Sequence, residues 1–206
     1  MKRDSEKIFL YKVEKDELVN AELYEGLSEQ NITDHEKKWI PTLTKANEES
    51  KAKGEGLVAE DAHWNWKNKA LKTMNQLSFT HYVIECNGET VGFLLLKLDG
   101  SVSRLEEGKS LVYIDYICVS PENRPVINNQ PVYQGIGSVL FHIAIEVSIY
   151  LGMNGRVGLH SLPKAREWYK DKLGLNALGA DESYYNLEYF ELSSEQATSL
   201  RDKYNN

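Results

Sequence analysis

Tyr133 to Leu151 reads YQGIGSVLFHIAIEVSIYL, a glycine turn feeding the longest strongly apolar run of the chain. Gly135 and Gly137 let the backbone turn tightly and approach a ligand closely. A helix starting there leaves the N–H groups of its first turn without intrahelical partners, and its dipole adds partial positive charge, so a phosphate or pyrophosphate is a natural guest. A lone G-x-G also opens ordinary helices, and by itself the turn leaves both readings open. It is not a P-loop, because Ser138 is preceded by glycine rather than lysine. It is not a dinucleotide fingerprint either, because the third glycine position holds Leu140. The run from Val139 to Leu151 is 13 residues long and contains His142, Glu146 and Ser148. A membrane span needs about 20 residues with few polar interruptions, so no membrane partner is expected.

Upstream lies the strongest hairpin signal. Tyr82 to Leu98 reads YVIECNGETVGFLLLKL, two apolar strands joined by Asn87-Gly88, which suits the positive φ angles of a two-residue type I′ turn. Gly92 suggests a bulge or a close backbone approach. Leu111 to Val119, LVYIDYICV, reads as a buried strand closed by Ser120-Pro121. Downstream, Arg156 to His160 reads as a short strand, Pro163 to Lys172 as a helix ended by Gly174, and Tyr184 to Leu192 as a closing strand. Near the start, Lys7 to Val13 reads as a first strand. From Asp16 to Gln76 the composition is polar and helical, broken by Pro41, Gly54 and Gly56, with Glu48 to Glu55 an exposed connection. Asp61 is placed to cap a helix from Ala62 to Asn75. The layout is mixed α/β (α+β) around one long sheet.

The chain has 206 residues, which at about 150 per domain predicts one elaborated domain. Its 24 basic and 31 acidic residues leave a net charge of -7. That charge repels phosphate backbones, so no nucleic-acid partner is expected, and it suits a cationic acceptor such as an amine or a basic protein. Cys86 and Cys118 each sit in an apolar run and give no disulfide framework and no metal site. The opening MKRDSEKIFLYKV lacks a long apolar signal region, and a cytoplasmic location with reduced thiols is expected.

Four segments in order, ECNGETVGF, YICVSPENR, YQGIGSVLFHIAI and SLPKAREWYKDKLGL, resemble the GNAT superfamily of N-acetyltransferases over about Tyr82 to Leu192. The first 80 residues match that family only in outline. The resemblance implies a single domain over residues 1–206, with a variable part at 1–80 and a cofactor-binding core at 81–192. It implies a mixed, mostly antiparallel central sheet flanked by helices on both faces. The activity it implies is transfer of an acetyl group from acetyl-CoA to a primary amine in a ternary complex, with no metal. The backbone at Ile117, Cys118 and Val119 is then expected to bind the pantetheine arm. The amides of Gln134, Gly135, Ile136, Gly137 and Ser138 are expected to bind the coenzyme A pyrophosphate. Tyr169, four residues after Ala165, matches the tyrosine that protonates the departing thiolate.

Two departures stand out. The basic residue usual three places before the first glycine is Val132 here, and Arg124 precedes Gly135 by ten intervening residues instead of two, so PVINNQPV at 125–132 is an insertion. Gly174 lies five residues after Tyr169, where four is commoner in the family. A coenzyme A-binding regulatory module without turnover is the alternative that Val132 supports.

A backbone N–H near Cys118 or Val119 is placed to polarise the thioester carbonyl. Asp115, mid-strand among apolar residues, is the first candidate for the general base, with Glu85 and His160 behind it. Cys118 reads as a small core residue, His63-Trp64-x-Trp66 as core or lid aromatics, and Glu36-Lys37-Lys38 as a solvated face. The expected acceptor is a small-molecule or protein amine, and the C-terminal strand is expected to offer an edge for a homodimer.

Overall fold

The computed structural model describes residues 3–204. The first strand, β1 (Glu6–Lys12), is followed at once by a second, β2 (Glu17–Glu25), and the two pair antiparallel from Glu6↔Leu23 to Lys12↔Glu17. This corrects the helical reading of the region after Asp16. Glu, Leu and Ala favour helices, yet Val19, Ala21 and Leu23 alternate inward with Leu18, Asn20 and Glu22 exposed, and that period of two fits a half-buried strand.

Helices α1 (Glu29–Asp34) and α2 (Ile40–Ala52) are joined by a π turn over His35–Trp39, in which the Ile40 N–H reaches back to the His35 carbonyl. Pro41, one residue on, has no N–H to give to an α-helical ladder, and the widened turn lets the chain stay helical on both sides of it. The capping box of α1 uses Ser28 and Asn31. Asn31 then donates to Glu85 and to the Thr90 hydroxyl at 2.8 and 2.9 Å, and Thr90 donates to Asp34 at 3.0 Å. These buried polar groups tie α1 to the hairpin of β3 (Phe79–Cys86) and β4 (Glu89–Lys97). The hairpin turns at Asn87 and Gly88 with φ of 52° and 76°, as the sequence predicts. Helix α3 (Trp66–Thr73) starts later than expected, capped by Asn65 and not by Asp61.

The remaining elements are β5 (Val112–Val119), β6 (Tyr133–Gln134), α4 (Ile136–Tyr150), β7 (Val157–Ser161), β8 (Asn176–Asp181), β9 (Leu187–Leu192) and α5 (Ser194–Tyr204). Strand β8 and helix α5 were not expected, and the closing strand starts at Leu187, three residues later than Tyr184. Among the described residues the sheet has nine strands in the order β6-β1-β2-β3-β4-β5-β7-β9-β8. It is mixed and mostly antiparallel; β5 and β7 run parallel, and α4 is the crossover that such a pair requires.

The chain gathers into two compact units, one running to Leu94 and taking in Ile117–Gly137, the other made of Leu95–Tyr116 and residues from 138 onward. The first has an aromatic centre. Trp66 stacks on Phe93 at 4.6 Å, Trp39 meets the same ring at 5.0 Å, and His35 lies 5.9 Å from it. In the second, Leu140, Phe141, Ala144 and Ile145 of α4 are buried, as are Val157, Leu159, Phe190 and Leu192 of the sheet. Among the described residues no helix is long and apolar enough to cross a membrane.

His35 sets an acid limit on the first unit. It is 2% exposed, and burial, only partly opposed by Asp61, pushes its imidazole down to about 4. The unfolded chain holds the proton with a pKa near 6.5, so the contribution of neutral His35 is complete above that pH. It is lost as pH falls from about 6.5 towards 4, at about 1.4 kcal/mol per unit. His35→Leu should therefore shrink the drop in urea stability between pH 7 and pH 5. An unchanged acid slope in the variant would clear His35 of the effect.

Candidate functional site

The glycine turn sits where β6 hands over to α4. Gln134 pairs with Tyr11 of β1, and Asn123 accepts the Tyr133 N–H at 2.6 Å, so the strand entering the turn is fixed on two sides. Gly135 then adopts φ of +90° and is exposed, and a Cβ built on it would meet nothing within 4 Å. A side chain at Gly135 would therefore meet no neighbour, and glycine is needed there for its backbone angle alone. Ile136 is buried and anchors the helix start, while Gly137 and Ser138 are half-buried in its first turn. The amides of this first turn have no carbonyl of their own helix to bind.

Ile117, Cys118 and Val119 are the last residues of β5 and lie in the same unit as Gln134 to Gly137. The strand exit is held on both sides: the Ser120 N–H donates to the Val91 carbonyl at 3.0 Å, and the Val119 carbonyl accepts Arg124 Nε at 2.7 Å. The same guanidinium grips Asp61 through both terminal nitrogens, at 2.6 and 2.7 Å. The side chains of this pair are only 15% and 10% exposed. Arg124 is thus committed to the protein itself, and it does not supply a guanidinium to the glycine turn in place of the basic residue that Val132 replaces. Asp61, expected as a helix cap, is its counter-ion. Cys118 is 7% exposed, and burial pushes its thiol up to about 12, which favours the protonated form and suits a small core residue. His63 is exposed and Trp64 half-buried, while Trp66 belongs to the aromatic centre.

Asp115 and Tyr169 belong to the second unit. Tyr169 is 5% exposed, packs edge-on against Trp168 at 5.0 Å and lies 5.8 Å from Phe190. Its segment is a 3-10 turn at Pro163–Ala165 followed by a π turn at Trp168–Lys172, closed by Gly174. The wider turn takes up the extra residue between Tyr169 and Gly174, with the Leu173 N–H reaching Trp168 and the Leu175 N–H reaching Tyr169. Asp115 is half-buried in the middle of β5. The two residues point to different faces of the sheet. Tyr113↔Gly158 and His160↔Tyr189 put the odd-numbered β5 residues on the face opposite Phe190, which is the ring Tyr169 meets.

On the Asp115 face lies a polar cluster that the sequence pointed to only through His160. The Tyr113 hydroxyl is 2.7 Å from His160 Nδ1, and His160 Nε2 is 3.1 Å from Asp181. Asp181 also accepts from Arg104 and from Ser183, which hold its carboxyl well below the usual range. Tyr184 stacks on the His160 ring at 3.9 Å and 6°, and Tyr189 lies 4.9 Å from it. Burial lowers the His160 pKa, with Asp181 opposing, and burial raises that of Tyr113. The signal was present in LVYIDYICV, where Tyr113 and Asp115 share one face of an otherwise apolar strand. Among the described residues no three His, Cys, Asp or Glu side chains are grouped to hold a metal ion.

No family model matches the chain, and no curated protein does. Among solved structures it is similar to a proposed acetyltransferase from Exiguobacterium sp. 255-15, at 16% identity over 88% of this chain and 98% of that one, with a TM-score of 0.52. The GNAT domain of PAT from S. lividans matches at 13% identity over 91% and 96% of the two chains, with a TM-score of 0.52. The fold is that of the GNAT acetyltransferases. A proposed streptothricin acetyltransferase from Bacillus anthracis, solved with acetyl coenzyme A, aligns at 19% identity over 57% of this chain and 64% of that one. This chain thus spans less than two thirds of it, with a TM-score of 0.43. Against the GNAT pattern this chain departs at Val132 with the 125–132 insertion, ahead of the glycine turn, and at the spacing that the π turn takes up.

Asp61→Asn leaves the Arg124 charge buried beside a neutral amide. It should cost about 3 kcal/mol in urea unfolding, as breaking a buried ion pair does. A loss below about 1 kcal/mol would mean that solvent already screens the pair.

Proposed function

We propose that this protein is an N-acetyltransferase that moves an acetyl group from acetyl-CoA directly to a primary amine while both are bound. The observation that carries the reading is the turn at Gly135: a positive φ, an exposed position and nothing within 4 Å of a Cβ built on it, immediately before the first residue of α4. These residues fit a pyrophosphate through backbone N–H groups, with no need of the Arg124 side chain.

Acetyl-CoA, when bound, supplies an activated acetyl thioester. The amides of Gln134, Gly135, Ile136, Gly137 and Ser138 would hold its pyrophosphate, and the backbone of Ile117, Cys118 and Val119 its pantetheine arm. A backbone N–H near Cys118 or Val119 would face the oxygen where negative charge develops. Tyr169 would donate its phenolic proton to the departing thiolate, since the two groups have similar ordinary pKa values. Asp115 would face the acceptor, where a carboxylate attracts a protonated amine. The net charge of -7 favours a cationic acceptor, either a small amine or an amine on a protein.

A ligand that binds only the folded chain raises its melting temperature, by the equivalent of about 2.7 kcal/mol at a hundred times its dissociation constant. Acetyl-CoA and free coenzyme A should both give a saturable shift, and ATP none. Absence of a shift at millimolar coenzyme A would remove the reading. Tyr169→Phe should keep that shift while acetyl transfer to a primary amine falls about a hundredfold, in the range usual for a general acid. A wild-type protein that binds coenzyme A but transfers to no amine would instead be a binding module.

A further inference from the structure

The cluster around His160 has no part in binding acetyl-CoA or in protonating the thiolate, yet its hydrogen bonds form a continuous file. We propose that Tyr113, His160 and Asp181 form a relay that removes the proton of the acceptor amine, with Asp115 drawing the protonated amine to Tyr113; this rests on the acetyl transfer proposed above.

The direction of the file follows from its far end. Asp181 is an ionised carboxylate gripped by Arg104 and Ser183, so it can only accept, and His160 Nε2 must be the nitrogen that carries hydrogen. The other nitrogen, Nδ1, is then the acceptor for the Tyr113 hydroxyl at 2.7 Å. Tyr113 is 9% exposed, and with its own hydrogen committed inward its phenol oxygen keeps a lone pair with which to accept an N–H. Asp115, two residues along the same face of β5, lies close enough for its charge to act on that phenol. The far end opens outward: Arg104 is 44% exposed beside Asp181.

The groups facing the imidazole come from every element around it. They are Tyr113 from β5, Tyr189 from β9, Asp181 from β8, Tyr184 from the 3-10 turn at Glu182–Tyr184, and Arg104 from the β4–β5 loop, while the charge of Asp115 acts on Tyr113. Glu191 stands behind Tyr189 at 3.2 Å. Tyr184 is held flat on the ring by a turn in which Tyr185 and Asn186 both take left-handed φ, 56° and 57°. Tyrosine adopts that region at a cost, and the stacked position of Tyr184 is what the strained turn maintains.

The step moves one proton and no electrons. The R–NH3+ group gives a proton to the Tyr113 oxygen while Tyr113 gives its own to His160 Nδ1, leaving R–NH2 and an imidazolium paired with Asp181. Once the product has left, the imidazolium returns its Nδ1 proton through the Tyr113 hydroxyl to water, which restores the Nε2–H tautomer. An imidazole is far better matched to an ammonium donor than Asp115, whose ordinary pKa is near 3.9. The relay and Tyr169 lie on opposite faces of the sheet, so a group that must accept a proton and a group that must donate one do not neutralise each other.

The test combines kinetics with nitrogen NMR of His160. A panel of spermidine, kanamycin and a lysine peptide, with acetyl-CoA, identifies an amine that the wild type acetylates. Tyr113→Phe, which keeps the ring, and His160→Gln should each lower kcat about a hundredfold, leave the acetyl-CoA KM within about twofold, and remove the acid limb of the kcat–pH profile. NMR of the wild type should find Nδ1 unprotonated from pH 6 to 8. A proton on Nδ1, or a Tyr113→Phe variant with wild-type kcat and acid limb, would overturn the relay while acetyl transfer stands. A wild type that shifts with coenzyme A yet acetylates none of the panel would count against the transfer reading itself, and the relay would fall with it.

Discussion

The end of β5 depends on one buried charge pair. Arg124 is taken out of water by a bidentate grip on Asp61 and by the Val119 carbonyl, and in that position it joins the segment before α3, the end of β5 and the start of the 125–132 insertion. Removing either partner would leave a charge with no compensation in a low-dielectric setting, so the pair is a constraint more than a source of net stability. It also decides what kind of anion site this chain can build. An arginine committed to an internal carboxylate cannot also neutralise a phosphate, so in the proposed site that task would fall to backbone N–H groups and the dipole of α4. Amides fixed by a turn need no ordering of a long side chain on binding, which lowers the entropic cost of the site.

The parts of this architecture that were legible in the sequence are those written by local rules. Asn87-Gly88 between two apolar runs gives one kind of turn, and Gly135 before an apolar run gives a helix start; both stand where the spacing puts them. Strand β2 was not legible because Glu, Leu and Ala carry a helical preference that its neighbour β1 overrides by pairing. Strand β8 was hidden in NALGAD, a segment with small residues and no alternation of the usual kind. The role of Asp61 was misread for a related reason. An aspartate before a helical run looks like a cap, and only the arrival of Arg124, 63 residues later in the chain, gives it a different partner.

The π turns show how a sequence departure becomes a local geometry. Pro41 follows one, and the extra residue between Tyr169 and Gly174 is absorbed by the other. In each case one residue more per turn resolves a conflict that a regular α-helix could not accommodate, in one instance a missing N–H and in the other a surplus residue. Such turns also rotate the side chains that follow, so the direction of Tyr169 is set by the widened turn around it and not by the count from Ala165 alone.

The alternation of side chains along the strands supplies the last constraint. Since successive residues face opposite ways, a strand of period two sorts chemistry between two faces without any further device. Phe190 faces Tyr169, and its neighbour Tyr189 faces His160, so adjacent residues of β9 serve separate environments. In the Tyr169 environment the rings of Trp168 and Phe190 pack against the phenol. In the His160 environment a carboxylate, a guanidinium and three phenols surround one imidazole, fixing its tautomer through hydrogen bonds at both nitrogens. A buried neutral imidazole with a fixed tautomer is costly to build, since each polar group brought inside must find a partner. Here each of its ring nitrogens has one, and the chain of partners ends at a charge that reaches the surface.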